Sequence, residues 1–289
     1  MVYIGNIFRP PAEHNSILLQ VTIGCSYNKC RFCGMYKNKQ FKIKDESLIN
    51  QDIDYASQHF RDKKRMFLCD GDAMIIPHEK LLRILIDINE KLPWITRIGL
   101  YANAKSLQKK NVDQLMELKK HKLGIIYMGL ESGDDEVLKN MNKGVNVITQ
   151  IEQGQKVKNA GMKLSCTVLL GLGGKSRTKE HAIKTGKALS EISPNYIGAL
   201  SLIITSEAPL YNDIINNNFN LLSPLEILKE LKLMIQNTDV SSGIFSANHA
   251  SNYLPLQVRL PSEKEDAIKL LEKAINGDIP LKSEFMRAL

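Results

Sequence analysis

Short apolar stretches of β type alternate along the chain with longer stretches whose apolar residues recur at helical spacing. The β-type runs are Ile17–Ile23, Arg65–Cys69, Arg97–Ala102, Ile125–Leu130, Leu164–Leu172 and Tyr196–Ile204. Between them, Pro77–Leu92 carries Leu81, Leu82, Leu85 and Ile88 on one face, the spacing of an amphipathic helix. Val112–Leu123, Val147–Ala160 and Lys179–Ile192 read the same way, and Asp134–Met141 opens with an acidic first turn that suits a helix N-terminus. Strand-then-helix repeated about six times predicts parallel strands with helices outside them. A closed eight-unit barrel typically takes about 250 residues. The pattern therefore predicts an α/β fold, a partial (β/α)6 TIM-type barrel, with an open doubly wound sheet as the competing topology.

From about Thr205 the pattern is less regular. Pro224–Asn237 and Ser262–Asn276 read as helices, the second with Ser262 as cap and Glu265 at the capping-box spacing. A short β-type run, Gly243–Ser246, lies between them. No Gly/Ser/Pro-rich linker separates this part from the rest. Residues 1–204 are expected to form the barrel core, and 205–289 a C-terminal extension of the same domain packing on it.

The 289 residues hold no apolar run of the roughly 18–20 residues needed to span a bilayer. The opening MVYIGNIFRPPAEHN lacks the basic-then-apolar pattern of a signal peptide. The expectation is a cytoplasmic protein with no membrane partner, whose thiols stay reduced. The formal net charge of +8 is spread along the chain, with short clusters at Lys63-Lys64-Arg65 and Lys119-Lys120-His121-Lys122. A solvated basic surface accounts for it, as does docking of an acidic electron-transfer partner. Nucleic acid is the less favoured partner, because no RNA-binding module accompanies the charge.

Three of the five cysteines crowd into nine residues: Cys25, Cys30 and Cys33, spaced C-x4-C-x2-C, directly after the first expected strand. Such clustering in a reducing compartment points to metal binding. Barrels carry their active sites at the C-terminal ends of their strands. Three thiolates can hold three irons of a cubane cluster, leaving the fourth open to bind a small molecule. A structural zinc site wants four ligands, and His14 lies far from the usual pairing pattern. Cys69 and Cys166 sit in apolar strands and read as core thiols.

The segment VTIGCSYNKCRFCGMYK resembles the cluster loop of the radical SAM superfamily. The commonest spacing there is C-x3-C-x2-C, so this loop has one extra residue in its first gap, while the aromatic Phe32 before the last cysteine is retained. The resemblance implies a [4Fe-4S] cluster on Cys25, Cys30 and Cys33. Its open iron would bind the amino and carboxylate groups of S-adenosyl-L-methionine (SAM), with Phe32 near the adenine. Cys69-Asp70-Gly71-Asp72-Ala73 is similar to the family's GGE-like turn, so Gly71, Asp72 and Ala73 would receive the methionine amino group. GLESGDDEVLKNMNKG resembles the fourth-strand motif of the branch that holds MiaB-type methylthiotransferases, the elongator catalytic subunit and oxygen-independent coproporphyrinogen oxidase. By that likeness Glu131 lines the SAM pocket, Ser132 contacts ribose or carboxylate, and Lys143 pairs with the carboxylate or is merely a solvated charge. Gly171-Leu172-Gly173 would pass under the adenine. The same stretch misses one required glycine of both the Walker and the dinucleotide patterns, so phosphate binding is not expected. Cys69 and Cys166 lack companion cysteines, which argues against an auxiliary cluster and hence against the methylthiotransferase subgroup.

Ser246–Tyr253 is dense in hydrogen-bonding groups. His249 and Asn248 are candidates to face a small-molecule substrate, His249 as proton or hydrogen-bond donor. The resemblance covers roughly Leu18 to Ile204 and implies an oxygen-sensitive enzyme. An external low-potential donor such as ferredoxin or flavodoxin reduces the cluster. The cluster then cleaves SAM, and the 5′-deoxyadenosyl radical abstracts a substrate hydrogen. Two other readings stay open: an iron–sulfur redox sensor without turnover, and a zinc-stabilised RNA-binding module.

Overall fold

A computed structural model describes residues 1–288. In chain order the elements are β1 (Ile17–Gln20), β2 (Thr22–Ile23), β3 (Lys42–Ile43), α1 (Glu46–His59), β4 (Arg65–Cys69), α2 (His78–Lys91), β5 (Arg97–Ala102), α3 (Ala104–Gln108), α4 (Val112–Lys120) and β6 (Leu123–Glu131). Then follow α5 (Asp135–Asn140), α6 (Val147–Asn159), β7 (Lys163–Leu170), α7 (Gly174–Ile192), β8 (Tyr196–Ser201), α8 (Leu210–Ile215), α9 (Pro224–Gln236), β9 (Gly243–Ser246), β10 (Gln257–Leu260) and α10 (Lys264–Ile275). The sheet is mostly parallel and carries eight strands, with helices between them, as the alternating pattern requires.

The chain divides into two compact units, each assembled from separate stretches. The first holds Met1–Asn28, Tyr36–Met128 and Lys156–Leu164. Here β1 runs parallel to β4, β4 to β5 and β5 to β6, with Leu19 opposite Leu68, Phe67 opposite Gly99 and Leu100 opposite Ile126. Leu19, Phe67, Leu68, Leu100 and Ile126 are fully buried. Gly99 is glycine because a Cβ there would lie 2.9 Å from Ile125 Cγ2. Glu13 is fully buried in this unit; it accepts hydrogen bonds from Arg97 Nη2 and the Tyr127 hydroxyl, both at 2.6 Å, and from Ser16. The Tyr127 ring in turn meets Phe67 edge-on, with centroids 5.7 Å apart.

The second unit holds Lys29–Met35, Gly129–Gln155 and Ser165–Leu289. Strands β7, β8 and β9 are parallel, with Cys166 opposite Ile197 and Ile197 opposite Phe245, and β10 returns antiparallel to β9. Residues 205–289 thus share a unit with most of β7 and with β8. Helix α7 packs closely on α9 because Gly186 has no side chain: a Cβ there would approach Met234 O to 2.7 Å.

The first expected strand breaks at Val21. The Val21 amide donates to Cys69 O and its carbonyl accepts from Lys44, so the chain leaves β4 and pairs with β3 instead. The seventh strand stops at Leu170 because Gly171 takes φ +82°. The capping box expected at Ser262 does not form: α10 starts at Lys264, and Glu263 folds back to accept from the Arg259 amide at 2.7 Å. Helix α1 went unread because its sequence is mostly polar, with only Ile49, Asp52, Ile53 and Ala56 buried.

Glu13→Ala is expected to lower the unfolding free energy by about 3 kcal/mol in urea melts. That is the low end for breaking a buried ion pair, since Arg97 is 27% exposed.

Candidate active site

In the first unit, the turn after β4 is built around two buried carboxylates. Asp70 accepts from the Tyr36 hydroxyl at 2.7 Å, from the Gly24 amide at 3.3 Å and from Lys39 at 3.4 Å. Its own amide donates to Thr22 Oγ1 at 3.0 Å. Gly24 precedes Cys25 and Tyr36 follows Cys33, so one side chain fastens both ends of the cysteine loop. Burial raises the pKa of Asp70 and holds the Tyr36 phenol protonated. A Cβ on Gly71 would strike the Tyr36 ring at 2.6 Å and approach Cys25 Cβ to 3.1 Å, so only glycine lets the turn lie against the loop.

Asp72 is fully buried. Its Oδ2 accepts from the Ser26 hydroxyl and from Asn103 Nδ2 at 2.8 Å, while Oδ1 has no hydrogen-bond partner among the described residues. Burial raises its pKa to about 6, against the pull of these donors. A buried carboxylate oxygen without a donor is costly unless a ligand group supplies one. Ala73 opens a 3-10 turn that Lys110 secures: its Nζ donates to Met74 O at 2.7 Å and Ile76 O at 2.8 Å. Burial lowers the Lys110 pKa to about 8. Sequence reasoning passed over Asp70, Tyr36 and Lys110; a lysine in a polar stretch carries no signal of the carbonyls it will meet.

Cys25 belongs to the first unit, Cys30 and Cys33 to the second, and all three are half-buried. Cys69 and Cys166 are fully buried, as expected of core thiols. Among the described residues, no group of three or more His, Cys, Asp or Glu side chains is gathered as a metal site.

In the second unit, the stretch through Cys30 and Cys33 is fastened by its backbone. The Arg31 amide donates to Met141 O at 2.9 Å, and its carbonyl accepts from the Leu210 amide at 2.8 Å. Arg31 also pairs with Asp213 and donates to Asn140 O at 3.0 Å. Phe32 packs against the buried cluster of Val137, Met141, Leu172, Leu202 and Leu210.

Glu131, at φ +64°, is paired with Lys143 at 3.0 Å, and both are buried, so Lys143 is not a solvated charge. Ser132 is buried and shares a 2.8 Å hydrogen bond with His181 Nδ1, while its oxygen accepts from the Asp134 amide at 3.0 Å. The other face of the same imidazole, Nε2, reaches Leu169 O at 3.0 Å and lies 3.6 Å from Glu230. Glu230 accepts from the Gly171 amide at 2.6 Å and from Thr178, and burial raises its pKa. A chain of buried polar contacts therefore joins the turn after β6 to the turn after β7. At Gly173, a Cβ would press on Arg177 O and His181 Cβ at 3.1 Å. Gly174, Lys175 and Ser176 form the first turn of α7.

The loop after β9 is pinned by Asn252, whose Nδ2 donates to Ala199 O at 2.8 Å and Ala247 O at 2.9 Å. His249 is half-buried; its Nδ1 accepts from the Ser251 amide at 3.1 Å, and burial together with Lys282 lowers its pKa. Asn248 is exposed and donates to Gln257 Oε1 at 3.2 Å.

The sequence model of the radical SAM superfamily matches residues 19–186, more than half of the chain. The protein is a member of the radical SAM superfamily. Solved structures similar to it include methylornithine synthase, PylB (14% identity, TM-score 0.54, 78% of this chain and 63% of that one). Coproporphyrinogen III oxidase, HemN, from Escherichia coli is similar at 15% identity and TM-score 0.56, over 76% and 52% of the two chains. Elp3 of the archaeon Methanocaldococcus infernus matches at 14% and 0.55, over 91% and 63%. The chain thus spans between half and two thirds of the length of these structures. No curated protein sequence matches it. Membership supports an enzyme, and the likeness in fold supports the partial barrel over the doubly wound sheet. No described helix is long and apolar enough to cross a membrane.

Glu230→Ala leaves the Gly171 amide without its acceptor. It is expected to cost about 1–3 kcal/mol in a denaturation curve, and Glu230→Gln, which keeps an acceptor oxygen, distinctly less.

Proposed function

We propose that this radical SAM enzyme holds a [4Fe-4S] cluster on Cys25, Cys30 and Cys33 and cleaves SAM to begin hydrogen abstraction from a small-molecule substrate. The observation that carries the reading is the orphaned, buried Oδ1 of Asp72, one hydrogen bond away from Ser26 in the cysteine loop. The donor set also fits the group: three half-exposed thiols on a strand-end loop, distinct from the two buried ones, leave an open iron. When bound, the cluster supplies the electron that splits the sulfonium and yields the 5′-deoxyadenosyl radical.

The remaining work falls to the chain. Asp72, with the backbone of Gly71 and Ala73, receives the methionine ammonium, which gives Oδ1 its missing donor. Lys143, balanced by Glu131, takes the methionine carboxylate. Ser132, its hydroxyl already engaged with His181, serves by holding the turn. Phe32 flanks the adenine, and Gly171-Leu172-Gly173 passes beneath it. His249 and Asn248 face the substrate, and the basic surface docks an acidic ferredoxin or flavodoxin.

Anaerobic reconstitution is expected to give brown protein with about four irons. The cluster should be lost in Cys25→Ala, Cys30→Ala and Cys33→Ala and kept in Cys69→Ala and Cys166→Ala. With dithionite, methionine and 5′-deoxyadenosine should appear; an intact, reducible cluster that yields neither sinks the proposal. Asp72→Ala should weaken SAM binding about tenfold or more, the effect of one charge-assisted hydrogen bond.

The pH dependence follows in sign from the raised pKa of Asp72, about 6. Above it the ionised carboxylate attracts the ammonium, and below it the protonated acid does not. SAM affinity should fall as the pH drops through about 6, and Asp72→Asn should flatten that profile in equilibrium dialysis.

A further inference from the structure

The second unit contains a cavity of about 260 Å³ at the C-terminal ends of β7 and β8. Leu202, Leu222 and Ile227 give it an apolar wall, and Tyr253, Glu284 and Arg287 a polar one. That polar wall has the form of a carboxylate receptor. Arg287 Nη1 donates to Glu284 Oε1 and the Tyr253 hydroxyl donates to Glu284 Oε2, both at 2.6 Å. Two different donors thus hold the two oxygens of one carboxylate.

The receptor is locked from behind. Arg287 Nε donates to Ser251 O at 2.6 Å and Nη2 to Leu202 O at 3.1 Å, and the guanidinium lies 4.3 Å from the centre of the Tyr253 ring. The Arg287 side chain is 6% exposed, whereas that of its guest, Glu284, is 72% exposed. Glu284 sits on a single 3-10 turn, Glu284–Met286. The two donors hold its carboxyl below the usual range, Tyr253 first and Arg287 second. A rigid, buried pair of donors gripping a solvent-facing acid is an arrangement in which the acid can be exchanged for another at little structural cost.

We infer that this cavity binds a small carboxylic acid with an apolar body, whose carboxylate displaces Glu284 from Tyr253 and Arg287. The volume lies below the roughly 300–1,000 Å³ of sites for drug-sized ligands, which restricts the occupant to a short acid. Tyr253 and Ser251 lie on the same loop as His249 and Asn248. That the occupant is the substrate of the radical rests on the proposed function; the binding does not.

The probe is hexanoate, with hexanamide as its neutral counterpart, titrated calorimetrically into the full chain. Glu284→Ala removes the internal competitor and should tighten hexanoate binding about tenfold or more, a gain that misfolding cannot produce. Arg287→Gln and Tyr253→Phe should each weaken it about tenfold, with circular dichroism confirming the fold. Hexanamide should bind none of these proteins measurably. Unchanged hexanoate affinity in Glu284→Ala, or equal binding of acid and amide, overturns the assignment and leaves SAM cleavage untouched. The Cys25→Ala chain should still bind hexanoate. Hexanoate binding in a protein that never cleaves SAM would uphold the site and refute the proposed function.

Discussion

The buried carboxylate of Asp70 is the constraint on which the first half of the site depends. A loop of cysteines has little apolar surface with which to hold itself, so its geometry must come from elsewhere. Asp70 supplies it by accepting from Gly24 on one side of the loop and from Tyr36 on the other. Three donors offset part of the cost of burying that carboxylate, whose pKa stays raised. Because Asp70 is the residue before Gly71 and Asp72, the same anchor that sets the loop also sets the turn that faces it. The two ends of the loop, at Gly24–Ser26 and Tyr36, are therefore tied to the turn, and Ser26 adds a bond by donating to Asp72.

The second unit solves a parallel problem with different residues. Turns after β6 and β7 expose backbone amides and carbonyls that no strand satisfies. At the end of β7, His181 of α7 meets Leu169 O and Glu230 of α9 accepts from the Gly171 amide, while the turn after β6 is reached through the Ser132 hydroxyl on His181. The close approach of α7 to α9 at Gly186 brings both side chains within reach. Packing between two helices thereby becomes precision at a glycine turn.

Much of this was legible in the sequence. The runs Arg65–Cys69 and Arg97–Ala102 have the boundaries their apolar pattern predicts, because strands buried on both faces read as continuous apolar runs, and Gly243–Ser246 also matches its strand although only Phe245 in it is buried. The cysteine spacing and the glycine-acid turn carried the family. What remained hidden was polar. Asp70 differs from Asp72 only by its place in a turn, and which of the two is saturated with donors depends on Tyr36, Gly24 and Lys39, residues 31 to 46 positions away. His181 sits in a helix with ordinary polar neighbours and shows no sign of being fully enclosed. Glu284 and Arg287 carry no local sign of the Leu202 O and Ser251 O that Arg287 reaches.

The grip on Arg31 bears on how this protein matures. Its amide and carbonyl are both spoken for, by Met141 and Leu210, so the chain between Cys30 and Cys33 is set by ordinary peptide hydrogen bonds. Cys30 and Cys33 are thus carried on backbone that its own unit holds in place. The proposed cluster would therefore cost little chain entropy between Cys30 and Cys33, in contrast to small metal-binding modules that fold only around their ion.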